Sequence, residues 1–533
     1  MPQFKPAIVV SANSTASRAG LRILKRGGNA IDAAVTTAQT LGVTAPAFSG
    51  IGGGGFALIW IAKEERPVFI DYRERAPSSA SEDMFQVSRS GEVIRDENSI
   101  GYKAVAVPGA LTGHALMLEK YGTVSLKAAM EPAINCAKKG VEIGRALAYA
   151  WKQSAGKLRR FKTSRSTYLL TGRPYRKVEE IKLTDLATTL ATIATNGHRE
   201  FYDGATAGQI CDDMASNGGL VTRSDLERYA PTFRDPVRGT YKDFEVISAP
   251  PPSAGGPILL QSLNVLEAYQ LKSYGFNSTQ SLHLLSEALA RGNMNCRTRI
   301  CDPDSTNVPI KTLVSKDFAQ QVGASINTTA ASFPSKPVDF PSMPESNTTH
   351  MVVADSEGNI VSMTESVECY FGSGITVPGT GVILNDTMHD FEPRPHMANS
   401  VGPWKVPMSS MSPTIVLSEG RPIMALGSAG GPRIVSSTLQ VLLNVIEFGM
   451  RVKDAVAAPR IHVQGERIQL ESSIPRATLI GLRKMGHRAE VRRRRGKNDP
   501  GLYFGGVHAA YFTEDAMSGG ADPRRDGLAV SLR

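Results

Sequence analysis

The segment PESNTTHMVVADSEGNIVSMTES, residues 344–366, holds two runs of strand-forming residues with a turn between them. Residues 348–354 and 360–366 are rich in β-branched and apolar side chains, whereas 355–359 carry Asp, Ser, Gly and Asn, which are typical of turns. The pattern predicts a β-hairpin. Residues 327–347 are rich in Ser, Thr, Pro and Asn without periodicity, which indicates a flexible, exposed linker before the hairpin.

Two interpretations of Thr348 fit this local pattern. One is an ordinary surface loop that leads into an edge hairpin, which is a common arrangement. The other is a self-cleavage point, because cutting the bond between Asn347 and Thr348 would give Thr348 a free amine beside its nucleophilic hydroxyl. The hairpin alone fits both interpretations, so the remaining sequence must separate them.

The composition is that of an ordinary soluble globular protein, with 533 residues of which 41% are hydrophobic and 21% charged. The formal net charge is +10, but most basic residues are scattered among acids. One basic run, RRRRGK at 492–497, has no interleaved aromatic residues and predicts a solvated loop rather than a nucleic-acid site. Five cysteines without CxxC spacing and nine histidines without an H-E-x-x-H pattern indicate neither a disulfide framework nor a metal site.

The first residues, MPQFKPAIVVSANS, have no long apolar region and no cleavage site of the A-x-A type. No apolar run approaches the roughly 18 residues that a membrane-spanning helix needs. We therefore expect a cytoplasmic protein without a transmembrane anchor, and export by a non-standard route stays open.

Two glycine-rich segments invite a functional interpretation. Gly50, Gly52 and Gly55 match the G-x-G-x-x-G spacing, but a predicted helix precedes them and a strand follows, which is the reverse of a dinucleotide site. Close backbone packing is the better prediction there. Gly430 and Gly431 lie between a predicted strand and a predicted helix, where backbone N–H groups can hold an oxyanion, although such turns also serve packing alone.

Elsewhere the patterns predict covering helices and additional strands. Between residues 108 and 215, apolar side chains recur at spacings of three and four, which predicts helices with no sign of catalysis. The segment ITVPGTGVILN, residues 375–385, predicts a strand.

Together the motifs resemble those of the γ-glutamyltranspeptidases, which are N-terminal nucleophile hydrolases. The matching segments follow the family's order along nearly the whole chain and are GGNAIDAAV, SGIGGGGFAL, DYRERAP, APPPSAGG, TTHMVVAD, FGSGITVPGTGVILN, SSMSPT, GSAGG and ADPRRDG. The resemblance implies an α+β fold, a four-layer αββα sandwich built from both chains of a self-cleaved precursor. A large chain, 1–347, and a small chain, 348–533, would associate as one structural unit.

The resemblance also implies catalytic roles. It places the nucleophile on Thr348, the cleaved bond after Asn347, and a hydrogen-bonding hydroxyl partner on Ser366, where Thr is more familiar in the family. An unassisted hydroxyl is a poor nucleophile, but a terminal amine with a pKa near about 8 can accept its proton. Gly430 and Gly431 match the family's oxyanion hole.

For the substrate, the resemblance assigns Arg73, Ser409 and Ser410 to the α-carboxylate of a γ-glutamyl group. A guanidinium fork suits a carboxylate, and two hydroxyls can complete its shell. Asp390 matches the family's partner for the substrate α-ammonium, although a turn or capping residue is the plainer interpretation of this position alone.

The sequence departs from the family at two positions. Glu368 stands where Asn is usual, and Thr387 stands where Gln or Glu is usual, so one position gains an acid and the other has none. An acid at Glu368 attracts an ammonium and repels a carboxylate. It therefore either preserves the charge facing the ammonium or marks a pocket for another acyl group.

Three functional hypotheses remain. The leading one is a γ-glutamyltransferase and glutathione hydrolase that needs no cofactor and passes the acyl group from Thr348 to water, an amino acid or a peptide. The alternative is an acylase of the same family acting on glutaryl-cephalosporin, oxamate or poly-γ-glutamate. A remote third is a binding protein that does not mature. We expect His350 to brace the strand beside Thr348 rather than bind a metal.

Overall fold

The structure is a computed structural model that describes residues 6–333, 347–494, 496 and 499–532. Of the predicted linker, only 327–333 and residue 347 are described, and part of the basic run 492–497 also lies outside the described residues. At the start of that run, the Arg492 guanidinium carbon lies 3.6 Å from the Tyr503 ring centroid.

Strands and helices alternate in long blocks along the chain. The strands of the described residues are β1 Ala7–Ser11, β2 Gly54–Ile61, β3 Arg66–Asp71, β4 Val141–Glu142, β5 Leu169–Leu170, β6 Arg173–Pro174, β7 Glu180–Ile181, β8 Thr232–Arg234, β9 Val237–Tyr241, β10 Phe244–Ser248, β11 Thr349–Ala354, β12 Ile360–Ser366, β13 Thr414–Ser418, β14 Arg421–Ala429, β15 Ile461–Gln464, β16 Arg467–Leu470, β17 Arg488–Val491, β18 Gly506–Phe512, β19 Met517–Ala521 and β20 Leu528–Leu532. The helices are α1 Ser14–Lys25, α2 Ala30–Thr44, α3 Ala110–Tyr121, α4 Leu126–Lys139, α5 Arg145–Arg159, α6 Lys162–Tyr168, α7 Thr184–Asn196, α8 Ala205–Ser216, α9 Arg223–Arg228, α10 Gly255–Leu266, α11 Leu271–Tyr274, α12 Thr279–Arg297, α13 Ile310–Leu313, α14 Lys316–Ala324, α15 Arg433–Ile446, α16 Val452–Ala457 and α17 Arg476–Lys484.

Two large sheets organise the fold. The first has seven strands in the order β20-β1-β11-β12-β2-β3-β8, and the second has six in the order β19-β18-β14-β13-β10-β9. The predicted hairpin is present as β11 and β12, with Thr349 opposite Glu365. The interpretation as an edge hairpin is wrong, because β1 pairs with β11 and β2 pairs with β12. The hairpin therefore lies in the middle of the first sheet and carries its first residue into the interior.

Apolar side chains fill the space between the two sheets and on their outer faces. Ile8, Phe56 and Val352 of the first sheet share one buried cluster with Ile415 and Ala510 of the second. Helices α1 and α2 pack against the first sheet, and α10 and α15 pack against the second. The helices predicted between 108 and 215 contribute to the core on the first sheet's helical side. The structure confirms a mixed α and β fold.

The close backbone packing predicted for the glycine-rich turn before β2 is present, and it involves the end of the hairpin. A Cβ on Gly53 would lie 2.0 Å from the carbonyl oxygen of Ser366, and one on Gly52 would lie 1.9 Å from that of Ile383. No side chain larger than hydrogen fits at such distances. Because these two residues have no side chain, the backbone before β2 can approach the end of β12 and Ile383 this closely.

The predicted strand at 375–385 is largely absent. Only one isolated bridge, between Thr376 and Ile383, is formed there. Gly379 and Gly381 both have positive φ values, +73° and +68°, and the Thr380 N–H donates to the Val377 carbonyl. A tight turn therefore interrupts the β-rich residues and folds the segment back on itself.

Replacing Gly53 with Ala should destabilise the protein by about 1–3 kcal/mol, since the new methyl group forces the Ser366 backbone to move. The free energy of unfolding, measured by urea denaturation, checks this expectation.

Gly156→Ala is the matched control, because a Cβ built at this position inside α5 would meet no atom within 4 Å other than those of its chain neighbours and its own helix backbone. It should leave stability unchanged or raise it by about 0.5–1 kcal/mol. Equal stabilities of the two variants would contradict the packing argument.

Candidate active site

Thr348 lies directly before β11, and its side chain is almost fully buried. The register of the hairpin places it beside Ser366, the last residue of β12. The Thr348 hydroxyl donates to Ser366 Oγ across 3.5 Å. The structure thus brings together the two hydroxyls that the sequence analysis selected.

The bond between Asn347 and Thr348 is held by several hydrogen bonds. Ser366 Oγ donates to the Asn347 carbonyl oxygen at 2.5 Å and accepts from the Glu368 N–H at 2.8 Å. The Asn347 N–H donates to the Glu368 carbonyl at 2.7 Å. Asn347 Oδ1 accepts from the Thr348 N–H at 2.9 Å and from Arg525 Nη2 at 2.7 Å. Both sides of this peptide bond are therefore fixed next to the two hydroxyls.

The glycine pair lies between β14 and α15, as predicted. Gly430 and Gly431 have φ values of +125° and +56°, in the region that favours glycine. A Cβ on Gly430 would lie 2.9 Å from the Cα of Gly505. Gly431 lines the same pocket as Thr348. The turn therefore brings Gly431, just before the start of α15, to the pocket that holds the nucleophile.

A pocket of about 350 Å³, partly open to solvent, surrounds Thr348. Its lining residues come from six separate parts of the chain and are Arg297, Thr348, Glu368, Asp390, Met408, Ser409, Ser410, Met411, Gly431, Pro432 and Ile434. The predicted substrate-binding residues Glu368, Asp390, Ser409 and Ser410 therefore share one pocket with the candidate nucleophile.

Arg73 lies behind this pocket and is not among its lining residues. Its fully buried guanidinium hydrogen-bonds Asp390 and lies 3.7 Å from Glu74 and 4.0 Å from Glu368. Arg73 Nε also donates to the Pro407 carbonyl at 3.2 Å. The guanidinium is surrounded by carboxylates of the protein itself.

Glu74 adds a third buried acid around Arg73. Burial raises its pKa to about 7, although the neighbouring Arg73 charge acts in the opposite direction. Thr387 Oγ1 donates to Glu74 Oε1 at 2.9 Å. Thr387, which stands where Gln or Glu is usual in the family, therefore hydrogen-bonds one of the clustered acids and adds no charge of its own.

Glu368 has an unusual backbone conformation. Its φ is +77°, in the left-handed region that Asn adopts more readily than Glu. The conformation turns the chain after β12, so that the Glu368 N–H reaches Ser366 and the side chain reaches the pocket. Strain of this kind is typical of functional sites.

Two arginines of the site were not selected from the sequence. Arg525 donates a hydrogen bond to Asn347. It lies in the ADPRRDG motif, which contributes to the family resemblance but suggested no role for this arginine. Arg297, the last residue of α12, donates to Ser410 Oγ at 2.7 Å. These contacts join residues more than 100 positions apart, so local patterns do not reveal them.

His350 is fully buried, and burial lowers its pKa well below the usual value. Its Nδ1 hydrogen-bonds Thr364 Oγ1 at 2.8 Å, which joins β11 to β12. The contact agrees with the expected bracing of the strand.

Two groups of side chains among the described residues bring three potential metal ligands within 4.8 Å of one another. One is Glu368, His389 and Asp390, where a cation would compete with Arg73 for both acids. The other is His283, Glu287 and His487, which lies apart from the pocket. In it the two imidazoles hydrogen-bond each other at 2.7 Å, and Glu287 pairs with Arg291.

No helix in the described part of the chain combines the length and the apolar character needed to cross a bilayer.

The Glu74 carboxyl predicts a pH-dependent stability. Its pKa of about 7 exceeds the usual 4.5, so between these values the folded protein holds a proton that the unfolded chain releases. Stability from this group is therefore greatest below pH 4.5 and falls as the pH rises to 7. The wild type should lose about 1–3 kcal/mol relative to Glu74→Gln between pH 4.5 and 7.5, measured by urea denaturation. A difference that stays constant with pH would contradict the expected shift.

The sequence is similar to those of known proenzymes along most of its length. The sequence matches the family model described as Gamma-glutamyltranspeptidase over residues 16–532. The glutathione hydrolase proenzyme of Pseudomonas sp. (strain A14) is 38% identical over 470 residues, which cover 86% of this chain and 81% of the relative. The acylase ACY 1 proenzyme of Pseudomonas sp. (strain SE83) is 37% identical over 531 residues, which cover 98% and 93%.

A solved structure extends the similarity to three dimensions. The cephalosporin acylase from Bacillus halodurans matches with a TM-score of 0.88 and 28% sequence identity, over 99% of this chain and 96% of that one. Because the family model spans nearly the whole sequence and the fold matches over the same length, the chain belongs to the γ-glutamyltranspeptidase family.

Proposed function

We propose that the protein is a γ-glutamyltransferase and glutathione hydrolase that works through a γ-glutamyl ester of Thr348. The observation that carries the proposal is the placement of Thr348 and Ser366 beside the Asn347 carbonyl, at the edge of a pocket with two acids and two serines. The names of the similar glutathione hydrolase proenzymes support it.

The overall architecture proposed here is the four-layer αββα sandwich of the N-terminal nucleophile hydrolases. Its support is the order of contacts, in which α1 and α2 pack on the first sheet, the two sheets share a buried cluster, and α10 and α15 pack on the second sheet. Both proposed chains, 1–347 and 348–533, contribute strands to each sheet. Such interleaving would hold the two chains together after cleavage.

The first step of the proposed mechanism is self-cleavage. Thr348 Oγ attacks the Asn347 carbonyl carbon while its proton passes to Ser366 Oγ, and Ser366 gives its own proton to the carbonyl oxygen. The C–N bond then breaks as the hydroxyl of the intermediate loses its proton and becomes the carbonyl of an ester, and the nitrogen takes up that proton to become the Thr348 amine. The product is an ester between Asn347 and the Thr348 oxygen. Water opens this ester, releasing Asn347 as a carboxylate and restoring the hydroxyl.

The second part of the mechanism is acyl transfer. The new terminal amine, with a pKa near about 8, accepts the Thr348 hydroxyl proton as the oxygen attacks the γ-carbonyl of the substrate. Gly430 and Gly431 would stabilise the oxyanion from the start of α15. The leaving amine takes the proton, and water or an amino acceptor then receives the γ-glutamyl group.

Substrate recognition follows from the charges that line the pocket. Glu368 and Asp390 would receive the α-ammonium, and Ser409 and Ser410 would face the α-carboxylate. Two acids in one pocket favour an acyl group that carries a positive charge.

Substrate preference tests the proposal directly. Because Glu368 and Asp390 attract an ammonium, kcat/KM should be about 10-fold or more higher for a γ-glutamyl anilide than for a glutaryl anilide, which lacks the ammonium. Anilide release gives the rates. A preference for glutaryl would favour the acylase alternative, which the named acylase relative also represents.

Removing the Ser366 hydroxyl should slow self-cleavage. Without its hydrogen bond to the Asn347 carbonyl, Ser366→Ala should split about 100-fold more slowly, as for other losses of an oxyanion donor. The appearance of two fragments over time on a denaturing gel measures the rate.

Two further variants serve as controls for the measured cleavage rate. Ser366→Thr keeps the hydroxyl and should cleave at nearly the wild-type rate, whereas Thr348→Ala should remain one chain. Cleavage of Thr348→Ala at the same bond would overturn the mechanism.

A further inference from the structure

Helix α12 carries a buried cluster of potential metal ligands that the proposed reaction does not use. His283 and Glu287 are four residues apart on this helix, so their side chains leave the same face. His487 joins them from the short connection between α17 and β17. At most 4% of the surface of each residue is exposed, and their ligand atoms lie within 4.8 Å of one another. The fold thus assembles two imidazoles and a carboxylate in its interior.

The hydrogen bonds of His283 leave one ring nitrogen suited to a metal. Its Nε2 lies 2.8 Å from the Asn327 carbonyl oxygen, which can only accept, so Nε2 carries a proton. In the neutral ring, Nδ1 then has the lone pair, and it faces His487 Nε2 at 2.7 Å. A backbone carbonyl that accepts from the other ring nitrogen is a common way in which proteins orient a metal-binding imidazole.

The other two ligands also have lone pairs to offer. Glu287 Oε1 accepts from the Ser332 N–H at 2.8 Å, and the same oxygen lies 3.9 Å from His487 Nε2. A carboxylate oxygen can accept two contacts, so Oε1 has room for one more. His487 Nδ1 is buried without a hydrogen-bond partner among the described residues. The hydrogen bonds of the described fold therefore do not saturate this imidazole.

The spacing of these atoms fits an ion of the zinc type after small side-chain rotations. A tetrahedral ion with bonds of about 2.0–2.1 Å separates neighbouring ligand atoms by about 3.3–3.4 Å. The two facing imidazole nitrogens are 2.7 Å apart, and Glu287 Oε1 is 3.9 Å from His487 Nε2. One pair must open and the other close, each by about 0.6 Å. Two imidazoles, a carboxylate and a water molecule are a ligand set that proteins use for zinc.

Arg291 is a charged group that opposes a cation at this position. Its Nη1 donates to Glu287 Oε2, and its Nη2 donates to the carbonyl oxygens of Ser325 at 3.0 Å and Ser332 at 2.7 Å. The guanidinium therefore contacts one carboxylate oxygen of Glu287 and leaves the other beside the imidazoles. Its charge lowers the affinity for a divalent ion, so we expect weaker binding than at a site without an arginine.

We infer that His283, Glu287 and His487 bind one divalent ion of the zinc type, which joins α12 to the connection between α17 and β17. Asn327 and Ser332 hydrogen-bond two of the ligands, so the ion would also stabilise the segment 327–332. The three ligands are not among the residues that line the pocket around Thr348, so the role of the ion is structural. The inference does not depend on the proposed γ-glutamyl function.

Titration with Co²⁺ tests the inference, because Co²⁺ occupies zinc sites and absorbs visible light strongly when its coordination is tetrahedral. Metal-free, tag-free wild type, incubated with the ion before each reading, should saturate at about one Co²⁺ per chain. His487→Gln and Glu287→Gln should each lower the affinity by at least about 10- to 100-fold, since each loses a ligand.

His396→Gln is the matched control. It removes an imidazole whose side chain is 90% exposed and which lies outside the cluster, so Co²⁺ should bind to it as to the wild type. Wild type that shows no tetrahedral Co²⁺ absorption would overturn the inference. Ligand variants that bind Co²⁺ with the affinity of the wild type would do the same.

Chelation separates a metal site from a cluster that only forms hydrogen bonds. In both cases the ligand variants lose contacts and should unfold at a lower temperature. Only a metal site lets EDTA lower the Tm of wild type purified from medium with Zn²⁺, and lets added Zn²⁺ restore it. A wild-type Tm that responds to neither reagent would refute the site, even if no ligand variant folds. None of these readouts uses turnover, so a failure of the γ-glutamyl function leaves them unchanged.

Discussion

The hydrogen bond from Ser366 Oγ to the Asn347 carbonyl oxygen connects the fold to its proposed chemistry. It exists because β11 and β12 pair in a fixed register in the middle of the first sheet, with β1 and β2 on either side. A hairpin buried on both flanks cannot shift its register without exposing apolar side chains. The glycines before β2 add a second constraint, because they let backbone approach the end of β12 closely.

A second organising feature is the distribution of charge. Arg73 offsets the repulsion among Glu74, Glu368 and Asp390, which would otherwise destabilise a buried cluster of acids. Two of these acids, Glu368 and Asp390, also line the pocket, as does Arg297. The same ion pairs can therefore contribute to stability and to the orientation of a substrate with two charges.

Much of this site could be predicted from the sequence. The alternation of residues in the hairpin is local, and the family motifs placed Thr348, Ser366 and Gly431 in positions that meet in the structure. Whether the hairpin lies at an edge could not be predicted in this way, since its neighbours come from remote segments. The turn at 375–385 was missed because its β-branched residues outweighed the effect of Gly379 and Gly381.

The arginines show where local patterns stop being informative. Arg73 was selected by its motif, but its surroundings depend on acids about 300 residues away. Arg297 was not selected, because its partner Ser410 is 113 positions distant and the end of α12 carries no recognisable motif. Arg297 lines the pocket and Arg73 does not, and only the three-dimensional arrangement reveals this difference.

The central claim is that Thr348, freed by cleavage, carries the acyl group. Mass spectrometry of the enzyme quenched during turnover of a γ-glutamyl anilide tests it most directly. We expect an adduct of one γ-glutamyl group on the fragment that begins with Thr348, located on that residue by peptide analysis. An adduct on another residue, or turnover by protein that remains a single chain, would contradict it.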